Sequence, residues 1–130
     1  MSKKIYVSAP FELQASARIV RDLLISHGFT VTSTWLEETP DTQETKRQMA
    51  ERDERDILSA DALLLINPDD WSYKGTGGRH VEVGIARQVR LPVFIYGVRS
   101  NVFHHLSNVA AVAPTISPLL SSLKEWRDRS

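Results

Sequence analysis

The chain has no cysteine, which excludes disulfides and thiolate metal sites and suits a reducing compartment. It carries no surplus of charge either, since 16 Lys and Arg balance 16 Asp and Glu. That leaves no broad basic field for a nucleic-acid polymer and no acidic tail. No apolar run approaches the ~20 residues of a membrane span, and the opening MSKK followed by IYVSAP turns polar too soon for a signal peptide. A cytoplasmic protein without a membrane partner is expected. Repeats and low-complexity segments are missing too, and RDRS at the end is expected to fray. His80, His104 and His105 have no ligand partners at convincing spacing, so no metal site is expected.

What is present is an ordinary apolar share, 42% of 130 residues, enough for one core and one domain spanning 1–130. Lys4–Ser8 reads as a strand, followed by a helix with Leu13, Ala17, Val20, Leu23 and Leu24 on one face and a stop at His27-Gly28. A second strand is expected over Phe29–Thr34 and a helix from about Thr42 to Ser59. Ala62–Asn67, ALLLIN, is a continuous apolar run, as a strand covered on both faces requires. A polar loop, PDDWSYKGTGG, leads to a helix placed from His80. Then come the strand LPVFIYG, a loop through VRSNVFHHL, a weaker strand at Val109–Ala113 and a helix from about Ser117 to Arg127. The alternation predicts an α/β, doubly wound, flavodoxin- or Rossmann-like three-layer sandwich on a roughly five-stranded parallel sheet. Ligands in such folds bind beyond the carboxyl ends of the strands. Those ends carry Ser8 to Phe11, Trp35, Asn67 to Gly78 and Gly97 to Asn101.

Two carboxylates stand on apolar helix faces. Glu82 shares a stripe with Ile85, Ala86 and Val89, and its place in the first turn offers a bland explanation, because free amides at a helix start favour a negative charge. Asp53 falls between Met49, Ile57 and Ala60, with Asp56 on the same side. A charge there needs a partner, a hydrogen bond or a displaced pKa, and Arg52 and Arg55 supply the bland reading of an ion-pair network. Their two helices flank the strand ALLLIN, so one pocket at the sheet edge is expected to hold both. Two carboxylates beside a pocket, one ionised and one able to give a proton, are equipment for breaking a glycosidic bond.

Four segments, KIYVSAPF, ERDERDILSADALLLIN, GGRHVEVGIA and LPVFIYG, resemble the nucleoside 2-deoxyribosyltransferase superfamily in order and spacing, over roughly residues 3 to 106. The most specific part is a glycine turn followed by Glu82-Val83-Gly84-Ile85-Ala86. An aspartate ahead of Ala60-Asp61, here Asp53, is the next. The tail GVRSNVFHHL looks like short members carried by phages and prophages, and the chain is also similar to the 2′-deoxynucleoside 5′-phosphate N-hydrolases.

The resemblance implies that Glu82 attacks C1′ of the deoxyribose and forms a covalent deoxyribosyl-enzyme. It implies that Asp53 orients the base and manages its proton, and that Tyr6 positions the nucleophile. Ser8, Pro10 and Phe11 match the loop shaping the sugar and base pocket. A small-molecule nucleoside or nucleotide is the implied substrate, no cofactor is needed, and a homodimer or higher homo-oligomer is implied. A catalytically silent nucleotide-binding module of the same fold is the alternative. The best-known transferases carry a further acid six positions before the nucleophile; Thr76 stands there, which is more like the hydrolases, and Asp69 or Asp70 could replace that acid. The terminal EWRDRS does not match the segment those enzymes lend a neighbour.

Gly77, Gly78 and Arg79 could bind an anion at the helix start with Lys74, or simply form a flexible turn that admits substrate. Arg99 and Ser100 offer a second phosphate reading. Trp35 and Trp71 could stack on a base or merely cover the core. Trp126 is expected to pack the last helix. Asp56, Asn101 and His104 complete the expected substrate-binding set.

Overall fold

A computed structural model describes residues 2–69 and 77–130. Five parallel strands form one sheet: β1 (Lys4–Ser8), β2 (Thr30–Val31), β3 (Ala62–Asn67), β4 (Val93–Gly97) and β5 (Val109–Ala113), in the order β2-β1-β3-β4-β5. Every residue of β3 is buried, as are Ile5 to Ser8 of β1. That accounts for their unbroken apolar runs, because helices cover both faces of the sheet. Helices α1 (Gln14–Ser26) and α4 (Ile116–Arg129) share one face, where Arg127 Nη1 donates to the His27 carbonyl at 2.7 Å and its guanidinium lies over the Phe29 ring. Helices α2 (Lys46–Leu58) and α3 (Gly78–Gln88) pack together on the other.

The chain winds outward from β1 to β2 and then returns to start β3 on the other side of β1. The strand order therefore reverses between β1 and β3, and a crevice opens beyond their carboxyl ends. Ser8 ends β1 and Asn67 ends β3, so both stand at its mouth.

Several expected boundaries move for local reasons. The second strand keeps only Thr30–Val31 of Phe29–Thr34. Ser33 and Thr34 divert their polar groups from the ladder: Val7 N donates to Ser33 Oγ at 2.5 Å, and Thr34 N donates to Asp56 Oδ2 at 3.1 Å. A 3-10 turn, Thr34–Glu37, follows. Helix α2 starts at Lys46 rather than near Thr42 because Thr45 and Gln48 cap each other's backbone amides, at 3.1 and 2.9 Å. Thr42 instead accepts from Thr39 N at 2.9 Å.

Helix α3 starts at Gly78, two residues before the expected His80, behind Gly77 at φ +81°. It buries Val83 and Ala86 and partly buries Ile85, while Val89, expected on this face, is 42% exposed. Its inward stripe therefore runs through Glu82, Val83 and Ala86. At the end of β4, Gly97 adopts φ +132°, and a Cβ there would lie 2.0 Å from the Asn67 carbonyl oxygen. No other residue type lets the two strand ends approach so closely.

Candidate active site

Glu82 is the fifth residue of α3 and so lies beyond the four free amides of its start. The helix-end explanation of its charge does not hold; side chains from another element supply its partners instead. Tyr6 Oη donates to Oε2 at 2.6 Å and Ser8 Oγ donates to Oε1 at 2.7 Å. Both donors are fully buried on β1. They are two residues apart, so the alternation of the strand sends their side chains to the same face of the sheet.

Burial pushes the Glu82 carboxyl up to about 7; the hydrogen bonds from Tyr6 and Ser8 oppose this, the charge of Asp53 adds to it and that of Arg52 opposes it. Burial first, then the charges of Glu82 and Asp53, raise the Tyr6 phenol above its ordinary range. Tyr6 therefore remains a proton-bearing donor at all working pH values.

Glu82 opens into a cavity of about 350 Å³, within the range of small-molecule sites, which is lined also by Ala9, Pro10, Phe11, Trp35, Asp53 and Arg79. Gly77 and Gly78 form its rim, and Glu12, Glu38 and Met49 complete it. Asp53 enters from α2 and is partly buried; burial raises its pKa, opposed by the adjacent Arg52. Arg52 Nη2 and Nε reach Asp53 Oδ1 at 3.0 and 3.2 Å. The same guanidinium donates to Glu38 and Glu44. The ion-pair network expected of Arg52 thus forms around Asp53, with the arginine itself only 8% exposed, as a clamp in the cavity wall.

The far wall is Trp35, whose Nε1 donates to the Val7 carbonyl at 2.8 Å, with the Phe11 ring 6.3 Å away, tilted and solvent-facing. Trp35 is buried and belongs to the core, whereas Phe11 is exposed; both are among the described lining residues. At the rim, Arg79 Nε donates to Asn67 Oδ1 at 3.2 Å. Asn67 Nδ2 donates in turn to the Val98 carbonyl at 2.7 Å and to Ser100 Oγ at 3.0 Å. The strand ends thus fix the arginine that faces the cavity.

The structure brings Tyr6, Ser8, Pro10, Phe11, Trp35, Asp53, Gly77, Gly78, Arg79 and Glu82 together. It sets three expected residues apart. Asp56 is buried and its carboxylate is taken by the Thr34 amide and hydroxyl, at 3.1 and 2.5 Å, so it braces the turn after β2 rather than facing the cavity. Asn101 and His104 line a separate, more apolar recess of about 260 Å³ with His80, Val83 and Phe103. There His104 Nδ1 accepts from the Ser100 amide at 2.9 Å, and burial, followed by the charges of its neighbours, lowers its pKa to about 4. The phosphate reading of Arg99 and Ser100 is weakened likewise: Arg99 Nε donates to the His104 carbonyl at 3.1 Å. Asp70, Trp71, Tyr73, Lys74 and Thr76 lie outside the described residues.

Glu12 and Glu38 line the cavity although sequence patterns do not single them out, and Met49 and Asn67 stand out in the sequence only as part of the α2 stripe and the end of β3. A carboxylate just after the loop Trp35, at the carboxyl end of β2, is the signal that could have found Glu38. Among the described residues no group of three or more His, Cys, Asp or Glu is arranged to hold a metal ion.

No family model matches the chain, and no curated protein matches it in sequence. Solved structures do share its fold. One is a CMP N-glycosidase of Clostridium botulinum, 17% identical, with a TM-score of 0.65 over 95% of this chain and 99% of that one. A conserved protein from Enterococcus faecalis, 15% identical, gives a TM-score of 0.68 over 96% and 99%. A 2-deoxyribosyltransferase from Bacillus psychrosaccharolyticus, 21% identical, gives 0.63 over 85% of each chain. The chain is therefore a doubly wound α/β domain that shares its fold with this CMP N-glycosidase and this 2-deoxyribosyltransferase.

Proposed function

We propose that the chain is an enzyme of the nucleoside 2-deoxyribosyltransferase superfamily that cleaves or exchanges the N-glycosidic bond of 2′-deoxynucleosides or their 5′-monophosphates. The observation that carries this reading is a partly buried carboxylate, Glu82, with both oxygens held by hydroxyls of β1 inside a nucleoside-sized cavity that Asp53 also enters. The sequence motifs around both residues and the shared fold support it.

In the reaction, ionised Glu82 attacks C1′ of the sugar. The C1′–N bond breaks, its electron pair goes to the base nitrogen, and a C1′–Oε ester forms. A proton reaches the departing base from Asp53, which burial keeps easier to protonate than an exposed aspartate. Water or a second base then attacks C1′, gives a proton back to Asp53 and releases Glu82 with its carboxylate restored. Two displacements at C1′ retain its configuration. Tyr6 and Ser8 hold the carboxylate in line and favour its charged form. Arg79, on the cavity rim beside Gly77 and Gly78, would meet a 5′-phosphate.

The test is a panel of deoxynucleosides and monophosphates incubated with the protein, with and without a second free base. Release of free deoxyribose or its phosphate marks a hydrolase, and base exchange only with an acceptor marks a transferase. Tight binding of these compounds with no turnover would overturn the catalytic reading in favour of a silent binding module.

A further inference from the structure

Glu38 takes no part in breaking or making the C1′ bond, yet it is among the most firmly fixed groups in the cavity wall. Its backbone carbonyl accepts from Gln14 Nε2 and Arg18 Nη2, both at 3.0 Å, and Arg18 Nε also holds the Leu36 carbonyl at 2.7 Å. Its side chain is 12% exposed and its Oε1 accepts from Arg52 Nη2. Arg52 in turn is fixed by Glu44 and Asp53. Backbone and side chain are thus held by separate helices, and Glu38 lines the same cavity as Phe11, Met49 and Asp53.

A carboxylate paired with a guanidinium accepts hydrogen bonds and donates none. Nucleobases differ at just this point. Cytosine and adenine carry an exocyclic amino donor where uracil and hypoxanthine carry a carbonyl oxygen. The oxo-bases also have a ring N–H, but a carbonyl oxygen flanks it, and a carboxylate repels that oxygen. Placing a carbonyl oxygen against this carboxylate in a partly buried site leaves the base oxygen unsatisfied, which costs more than a hydrogen bond gains. If a base stacks on the exposed Phe11 of the same lining, its edge is turned toward this wall.

We infer that Glu38, clamped by Arg52, selects nucleosides whose base bears an exocyclic amino group and disfavours their oxo counterparts. This rests on the glycosidic reading of the same cavity. The test uses two pairs, deoxycytidine against deoxyuridine monophosphate and deoxyadenosine against deoxyinosine monophosphate. Calorimetry on the Glu82→Gln chain measures binding without consuming ligand, and the unaltered chain is assayed for base release.

The amino member of each pair should bind at least about tenfold more tightly, in line with sites that pair a buried polar group. Adding Glu38→Gln, whose amide can also donate, should shrink that ratio to within about threefold. A change confined to folding would move both members of a pair equally. Equal binding within each pair, or no binding of either, overturns the role of Glu38, and the ratio without the Glu38 substitution decides this even if the Glu38→Gln chain does not fold. Base release from no member of either pair would instead defeat the glycosidic reading itself.

Discussion

Tyr6 Oη lies 2.6 Å from Glu82 Oε2, joining the first strand of the sheet to the third helix across 76 residues of sequence. A fully buried phenol and a partly buried carboxylate at this distance have one productive arrangement, in which the phenol donates and the carboxylate carries the charge. The contact stabilises the ionised form of Glu82, which the proposed attack requires, while burial favours the neutral form. Activity and stability should both register that opposition as pH changes.

On the proposed mechanism, which needs Glu82 ionised and Asp53 protonated, kcat/KM for base release should be bell-shaped in pH, with Glu82 setting one limb close to 7. Tyr6→Phe removes a donor to the charged form and should move the limb to higher pH. At pH 6 the variant should be slower by about tenfold or more, with much of the loss recovered at pH 9, as expected for one hydrogen bond to a charged group. A limb that does not move would show that Tyr6 only fills space.

The same pKa sets a stability signature. A carboxyl whose folded pKa is raised binds its proton more tightly in the folded than in the unfolded chain. Stability is therefore greatest below the unfolded value near 4.5 and is lost as pH rises toward about 7. The interval corresponds to at most about 3 kcal/mol. Glu82→Gln should accordingly raise Tm relative to the parent at pH 8 and leave it nearly unchanged at pH 4.5. An equal shift at both pH values would contradict a raised pKa.

Arg52→Met should leave Glu38, Glu44 and Asp53 without their shared cation. Breaking a buried pair from one side costs about 3 kcal/mol or more, which a thermal melt at pH 7 should show as a lowered Tm. A variant as stable as the parent at pH 7 would mean the clamp contributes nothing.

Gly97→Ala should destabilise the chain without touching the cavity lining. Its φ of +132° disfavours any side chain, and the added carbon would sit 2.0 Å from the Asn67 carbonyl. The expected loss is about 2 kcal/mol or more in chemical denaturation. A loss within about 0.5 kcal/mol would contradict the close approach of β3 and β4.

The parallel sheet was legible in the sequence because strands covered on both faces leave unbroken apolar runs such as ALLLIN, and the helices declared themselves by apolar spacing. Asp53 and Glu82 stood out for a related reason, as charges where the period calls for apolar residues. What escaped were features set by side-chain to backbone bonds. Ser33 and Thr34 cut the second strand short, and Thr45 delayed α2, because short polar side chains compete locally with the regular ladders. Asp56 was misread since a buried aspartate serving a turn looks, in sequence, like one serving a pocket. Glu38 escaped because it follows a 3-10 turn, where no periodicity marks an inward-facing position.

Glu82 as the attacking group is the central claim. The most direct measurement is base release by the Glu82→Gln chain on the best substrate of the unaltered protein, with intact-mass analysis of the unaltered protein quenched during turnover. Release should fall by about a thousandfold or more for loss of a nucleophile, and the quenched protein should carry one deoxyribosyl group, with or without phosphate, on the peptide containing Glu82. Release near the unaltered rate by the Glu82→Gln chain would contradict a nucleophilic Glu82.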